Sequence, residues 1–241
     1  MIGAHTRGAL RLAHRGDWRV APENTLAAMV AALAIPACDG LELDVRGSRD
    51  GVPVLLHDAT LARVQGLDAA VDVLTAAELA AHGVPALADI LALDWPPSAT
   101  SRDGRPFLDV ELKGQPVPAV VEVLESARGP GLERAVMSSF EPEALAWLAA
   151  RRPAWPRWLN ALDLEPPTID AADRLGCVGV SVAWPAIDAG SLARARKRGL
   201  VVAAWTVREL AAYRRLDDLG VVAICAEAEA LDGSHEGEHR T

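Results

Sequence analysis

Five groups of acidic, basic and imidazole side chains recur down this chain, and each stands at or near the end of a short apolar run. His14-Arg15-Gly16 follows Leu10-Arg11-Leu12-Ala13, and His57-Asp58 follows Val52-Pro53-Val54-Leu55-Leu56. Glu42-Leu43-Asp44 follows a helix-like stretch, Glu111-Leu112-Lys113 follows Phe107-Leu108-Asp109-Val110, and Trp205 follows Leu200-Val201-Val202-Ala203-Ala204. A spacing of two puts Glu42 with Asp44, and Glu111 with Lys113, on the same face of a strand. In a parallel barrel one face of every strand points inward, so these groups can converge on one polar pocket. Glu42, Asp44 and Glu111 are hard oxygen donors that suit Mg²⁺ or Ca²⁺ far better than Zn²⁺, whose usual ligands are His and Cys. The chemistry implied is hydrolysis at a divalent metal.

A lone strand-end acid more often caps a helix or faces water. Two such pairs flanked by Leu and Val that must bury are another matter, because an unpaired carboxylate inside a barrel is too costly without a cation. His14 and His57 are the candidates for general acid and base, since imidazole titrates near neutral pH. Arg15, with its planar fork, and Lys113, a point charge, are candidates for holding a phosphoryl group. Lys113 is one of only two lysines, the other being Lys197, and it can also balance the carboxylates without any substrate. His5 and His82 stand outside these clusters and read as structural, and His235 and His239 read as tail composition.

The elements that must position these groups alternate along the chain. Strand-like runs fall at Leu10–Ala13, Gly40–Val45, Phe107–Val110, Ala135–Ser138, Pro156–Leu159, Cys177–Ser181, Leu200–Ala204 and Val221–Cys225. Helix-like segments lie between them at Thr25–Ala34, Val117–Ala127, Pro142–Ala150, Ile169–Leu175, Gly190–Arg198 and Arg208–Leu216. Asn24 suits a helix cap, Pro142 a first turn and Gly199 a helix end. Strands alternating with helices imply a parallel sheet, and eight units imply closure into a (β/α)₈ TIM barrel of the α/β class. Residues 46–104 break the rhythm, with weak helices at Thr75–Ala81 and Leu87–Leu91 and a Pro, Ser, Asp and Gly-rich stretch from Asp94 to Arg105. They read as a short insertion after the second strand, folded over the barrel mouth.

The 241 residues suit one domain over 1–231, a barrel typically needing about 250, with 232–241 as a flexible polar tail. A hydrophobic fraction of 51% and a mean hydropathy of +0.14 predict a well-buried core, yet no apolar stretch approaches a membrane span. No export signal is visible at the amino terminus, so a cytoplasmic location is expected. A net charge of −9 argues against nucleic acid, which is bound by clustered Lys and Arg. The dense run Arg194 to Arg198 falls late in a predicted helix, where cations complement the dipole and solvate the outer face. Cys38, Cys177 and Cys225 are odd in number and far apart, and read as buried free thiols.

Taken in order, His14-Arg15-Gly16, Pro22-Glu23-Asn24-Thr25, Glu42-x-Asp44, His57-Asp58-x-x-Leu61-x-Arg63, Glu111-x-Lys113, Ser139-Phe140 and Trp205-Thr206-Val207 resemble the glycerophosphodiester phosphodiesterase family. The resemblance spans residues 10 to about 207. It implies a barrel of the phospholipase C-like phosphodiesterase type, with His14 and His57 as acid/base pair and Glu42, Asp44 and Glu111 as ligands of Mg²⁺ or Ca²⁺. Arg15 and Lys113 match phosphate-contacting cations, Glu23 and Asn24 would brace the first loop, and Trp205 would stand near the substrate. The implied reaction converts a small glycerophosphodiester to glycerol 3-phosphate and an alcohol: the glycerol hydroxyl, as internal nucleophile, displaces the alcohol to give a cyclic phosphate, which water then opens. Two positions depart from the family pattern: Arg208 stands where Asn often follows Trp-Thr-Val, and Glu227-Ala228 replaces a final Asp-then-Pro. A lysophospholipase D-type activity is a second reading, in which the loop tryptophans Trp18, Trp95 and Trp184 supply an apolar surface. A non-catalytic phosphoester-binding protein is a third, and it predicts loss of a cluster residue that this chain retains.

Overall fold

The structure, a computed structural model, describes residues 8–93 and 105–234. In chain order the elements are β1 (Leu10–His14), α1 (Leu26–Leu33), β2 (Gly40–Gly47), β3 (Pro53–Leu55), α2 (Ala62–Gln65), α3 (Ala76–Ala81), α4 (Leu87–Leu91), β4 (Phe107–Leu112), α5 (Ala119–Arg128) and β5 (Ala135–Ser139). They continue with α6 (Pro142–Arg151), β6 (Arg157–Ala161), α7 (Pro166–Arg174), β7 (Gly179–Ala183), α8 (Ala189–Lys197), β8 (Val201–Val207), α9 (Leu210–Leu219), β9 (Ala223–Ala226) and α10 (Ala228–Asp232). Eight strands pair in parallel in the order β1-β9-β8-β7-β6-β5-β4-β2, and the β1 to β2 pairing closes the ring into the expected TIM barrel. β3 pairs antiparallel with the end of β2, Val45 opposite Leu55, and opens the insertion.

Period-two alternation divides the barrel strands between two environments. Outward residues such as Leu41, Leu43, Leu108, Val110, Val180 and Val182 join the helices in the main core. Inward residues Leu10, Leu12, Phe107, Val136, Trp158, Ala203, Ala223 and Cys225 fill the barrel itself. Continuing along the same inward face, four of these strands turn polar at their C-terminal ends: Leu12 gives way to His14, Phe107 to Asp109 and Glu111, Val136 to Ser138, and Trp158 to Asn160. The lower interior is thus an apolar plug, and the upper interior is the site. Within the plug Phe107 and Trp158 stack with ring centroids 6.2 Å apart. Gly40 is needed beside them, because a Cβ at that position would lie 2.1 Å from the Phe107 carbonyl oxygen.

The helix boundaries shift from expectation by a few residues at their capped ends. Asn24 does not cap α1; the cap is Thr25, whose side chain accepts from the Ala28 amide. α7 starts three residues earlier than its apolar period, because Pro166 and Pro167 fit a first turn. Leu87–Leu91 belongs to the outer helical ring rather than to the insertion, since Leu87 and Ile90 bury in the main core. The insertion keeps a small core of its own, made of Val54, Leu56, Leu61, Val71, Leu79 and Val84. Asp232, assigned to the tail by composition, is the last residue of α10 and pairs with Arg19 at 2.6 Å. His5, Trp95, the stretch from Asp94 to 104, His235 and His239 lie outside the described residues. Among the described residues, no helix is long and apolar enough to cross a membrane.

Candidate active site

A cleft at the C-terminal mouth of the barrel is lined by His14, Arg15, Glu42, His57, Glu111 and Lys113, with Trp205 and Phe140 at its edge. β1 delivers His14, β2 delivers Glu42 and Asp44, β4 delivers Glu111, and the insertion delivers His57. The first loop is shaped to present its residues. Gly16 has φ +85° and packs so closely on α1 that a Cβ would meet the Ala28 carbonyl carbon at 2.6 Å. Arg15 and Asn24 also hold left-handed backbone, φ 61° and 58°, a strain tolerated where the surroundings fix it. Their surroundings do: the Asn24 amide donates to the Arg15 carbonyl at 2.9 Å, and the Arg15 amide donates to the Glu42 carbonyl at 3.0 Å.

Glu42, Asp44 and Glu111 are buried, and one carboxylate oxygen of each lies within 4.8 Å of the others. Asp44 sits between two cations, Arg15 Nε at 3.0 Å and Lys113 Nζ at 3.3 Å, and Asn24 Nδ2 donates to it at 2.8 Å. Although burial opposes its ionisation, Arg15 and Lys113 outweigh that cost and hold Asp44 below the usual carboxylate range. The other two go the opposite way. Burial and the Asp44 charge push Glu42 well above its ordinary value and Glu111 up to about 7. Asp109, two residues before Glu111 on the same face, is also raised by burial to about 7 while accepting from Ser138 Oγ at 2.6 Å.

The deficit of positive charge is what a divalent cation would relieve. Glu42 Oε1 is buried with no hydrogen-bond partner, and the donors are all hard oxygens, so the residues fit Mg²⁺ or Ca²⁺.

The two histidines flank this cluster in matching fashion. His14 shares a 2.5 Å hydrogen bond between Nδ1 and Glu227 Oε1, and its Nε2 lies 3.9 Å from Glu42 Oε2. His57 Nδ1 lies 2.6 Å from Asp58 Oδ1, and its carbonyl accepts from Arg46 Nε and Nη2. Burial lowers the His57 pKa, against the raising influence of Asp44 and Asp58. Arg63 then ties both loops together. Its Nε donates to Asp58 Oδ2 at 2.6 Å, and its Nη1 and Nη2 donate to Glu23, which also accepts from Arg15 Nη1 at 3.0 Å.

The cluster residues named from the sequence come together at the mouth, and their contacts define what each one does there. Arg15 and Lys113 are ion-paired to the carboxylates as well as facing the cleft, Lys113 Nζ being 2.6 Å from Glu111 Oε1. Glu23 and Asn24 brace the first loop through Arg15, and Asn24 also holds Asp44. Trp205 donates its Nε1 to the Ser181 carbonyl and stands edge-on to Phe140 at 5.4 Å. Sequence reasoning placed neither Asp109 nor Asn160 in the site, and it noted Glu227 only as a departure from the family pattern. Period two would have found the first and last, since Asp109 shares a face with Glu111 and Glu227 follows Cys225 by two. Of the loop tryptophans, Trp18 is exposed and Trp184 packs partly against the main core.

A closed eight-stranded barrel carrying a buried carboxylate triad, two histidines and two cations at its C-terminal mouth defines a TIM-barrel phosphoric diester hydrolase. The model of the glycerophosphoryl diester phosphodiesterase family matches residues 14–228, and the chain belongs to that family. A Mycobacterium tuberculosis relative named probable glycerophosphodiester phosphodiesterase 2 is 32% identical over 93% of this chain and 89% of its own length. The glycerophosphodiester phosphodiesterase of Caldanaerobacter subterraneus is 50% identical over 54 residues; that match spans only 22% of either chain. A solved Oleispira antarctica phosphodiesterase, in complex with the product sn-glycerol-3-phosphate, superposes with a TM-score of 0.77 at 25% identity, covering 92% of this chain and 94% of that one.

Proposed function

We propose that this chain hydrolyses glycerophosphodiesters to glycerol 3-phosphate and an alcohol, with a divalent metal at Glu42, Asp44 and Glu111 and with His14 and His57 as the acid/base pair. The observation that carries the reading is the carboxylate triad, its oxygens within 4.8 Å of one another, set between two histidines that each have Nδ1 engaged by a carboxylate. Bound there, Mg²⁺ or Ca²⁺ supplies positive charge to the non-bridging oxygens of the phosphodiester. Arg15 and Lys113 add charge from the protein side, where water is largely excluded and each is worth more than in solution. With Nδ1 committed to a carboxylate, each ring has Nε2 left to take a proton from the attacking glycerol hydroxyl or to give one to the leaving alkoxide; water then opens the resulting cyclic phosphate to glycerol 3-phosphate. Such general acid–base help contributes about 10²- to 10⁴-fold.

Three unpaired, buried cysteines support a reducing compartment, and we place the protein in the cytoplasm as one domain that extends through Asp232. A lysophospholipid substrate has one observation in its favour: Trp18, Val20, Phe140 and Leu162 are exposed on loops at the mouth end of the barrel. Release of glycerol 3-phosphate from glycerophosphocholine and glycerophosphoethanolamine, and of lysophosphatidic acid and choline from lysophosphatidylcholine, each with and without chelator, tests both readings. Turnover of the first two that stops in chelator is the expected result. Products from lysophosphatidylcholine alone would move the assignment to the lysophospholipase D type.

A further inference from the structure

Arg208 and Glu227, the two positions that the sequence reading set apart from the family pattern, are 19 residues apart and touch in space: Arg208 Nε donates to Glu227 Oε2 at 2.7 Å. The other carboxylate oxygen, Oε1, meets His14 Nδ1. We propose that Arg208 and Glu227 act together as positioning residues for His14, clamping its ring so that Nε2 faces the substrate. The inference rests on His14 being one of the acid/base pair.

Four observations carry it. First, both oxygens of Glu227 are spent, one on His14 and one on Arg208, so the carboxylate cannot rotate without breaking a charge-assisted hydrogen bond. Second, the Glu227 side chain is only 6% exposed whereas Arg208 is 66% exposed; a surface arginine is reaching inward to a buried carboxylate. Third, the backbone already holds the two segments in register, since the Glu227 amide donates to the Val207 carbonyl at 2.8 Å and the Ala230 amide donates to the Arg208 carbonyl at 2.9 Å. The side-chain pair is therefore not needed to build the turn. Fourth, the same device recurs at the other histidine from unrelated sequence: His57 Nδ1 to Asp58 Oδ1, then Asp58 Oδ2 to Arg63 Nε, both at 2.6 Å. A histidine, a carboxylate and an arginine, in that order and through the same atoms, appear twice in one cleft.

The pairing of the departures has a physical logic. Glutamate is one methylene longer than aspartate and has one more rotatable bond, so it places a carboxylate less definitely. An arginine on its second oxygen restores the definition. In a His–carboxylate pair the acceptor fixes which ring nitrogen carries the proton, and partners of this kind typically cost about 10- to 100-fold in activity when removed.

The test compares wild type with Glu227→Gln, Glu227→Asp, Arg208→Asn, the double variant Glu227→Asp with Arg208→Asn, and His14→Ala, using the full chain, glycerophosphocholine and Mg²⁺ or Ca²⁺. Glu227→Gln should lower kcat by about 10- to 100-fold with little change in KM. The double variant should lose less than the product of its two single losses, because a short arm no longer needs the clamp. The ¹⁵N resonances of the His14 ring, read in metal-free protein, should show the proton on Nδ1 in wild type and a mixture of tautomers in Glu227→Gln. Loss of activity in His14→Ala with wild-type kcat and an unchanged tautomer in Glu227→Gln would overturn the relay while leaving the acid/base reading intact. Strictly multiplicative losses would show that the two departures are independent. Full activity in His14→Ala would remove both the reading and the relay built on it.

Discussion

Lys113 places its ammonium 2.6 Å from the carboxylate of Glu111, its neighbour two residues earlier on the same strand face. The ammonium lies over the Phe140 ring, 5.4 Å from its centroid, and 3.3 Å from Asp44. A cation so placed faces the cleft and the carboxylates at once. Lys113→Met should depress kcat more than it raises KM, because charge that develops in the transition state loses its partner while uniform binding would show in KM alone. Metal titration of the variant by calorimetry should still show binding. A kinetically silent variant would reduce Lys113 to a charge balance for the triad.

The histidines should behave as one proton-transfer unit. His14→Ala and His57→Ala are each expected to cut kcat by about 10²-fold or more, and the double variant should lose little beyond the worse single. Steady-state kinetics on the three proteins decides it, and wild-type turnover in His57→Ala would take that residue out of the mechanism.

Metal affinity should depend on pH with a definite sign. In the metal-free protein Glu111 is raised by burial and the Asp44 charge to about 7, so a proton occupies the site that the metal needs. Affinity should therefore strengthen as pH rises from about 6 to about 8, with proton release on binding, readable by calorimetry in buffers of different ionisation enthalpy. Stability of the metal-free protein should move the other way. A carboxyl raised on folding binds its proton more tightly in the folded state, so its contribution is present at low pH and is lost as pH climbs from about 4.5 through about 7. Glu42→Gln and Asp44→Asn should both weaken the metal, and full activity in chelator would sink the metal assignment.

The apolar plug beneath the site should govern stability without touching the chemistry directly. Trp158 is fully buried and stacked on Phe107, so Trp158→Ala is expected to cost about 3–5 kcal/mol in chemical denaturation.

Which parts of this arrangement the chain announces follows from the range over which each signal acts. The strands and the inward pairs Glu42/Asp44 and Glu111/Lys113 obey a period of two that needs only neighbouring residues, and the structure shows them as expected. Asn24 shows where local reasoning misleads: its type suits a helix cap, yet its side chain is taken by Asp44, and Thr25 caps instead. Arg63 bridging Glu23 and Asp58 depends on chain segments 40 residues apart, and Glu227 reaching His14 spans 213. No periodicity encodes such distances. They become visible only when closure of the barrel brings the first strand beside the last.

His57 stands on the insertion, and the insertion has a core separate from that of the barrel. Closure of the eight-stranded ring does not depend on it, since β3 only edges β2. Cooperative units with little buried surface open below the global free energy of unfolding. Catalysis should thus have a melting temperature of its own: on heating, turnover fades as the segment from Val54 to Val84 opens, while barrel amides still resist hydrogen exchange. Exchange rates in that segment, followed alongside residual activity, would reveal an enzyme that falls silent before it unfolds.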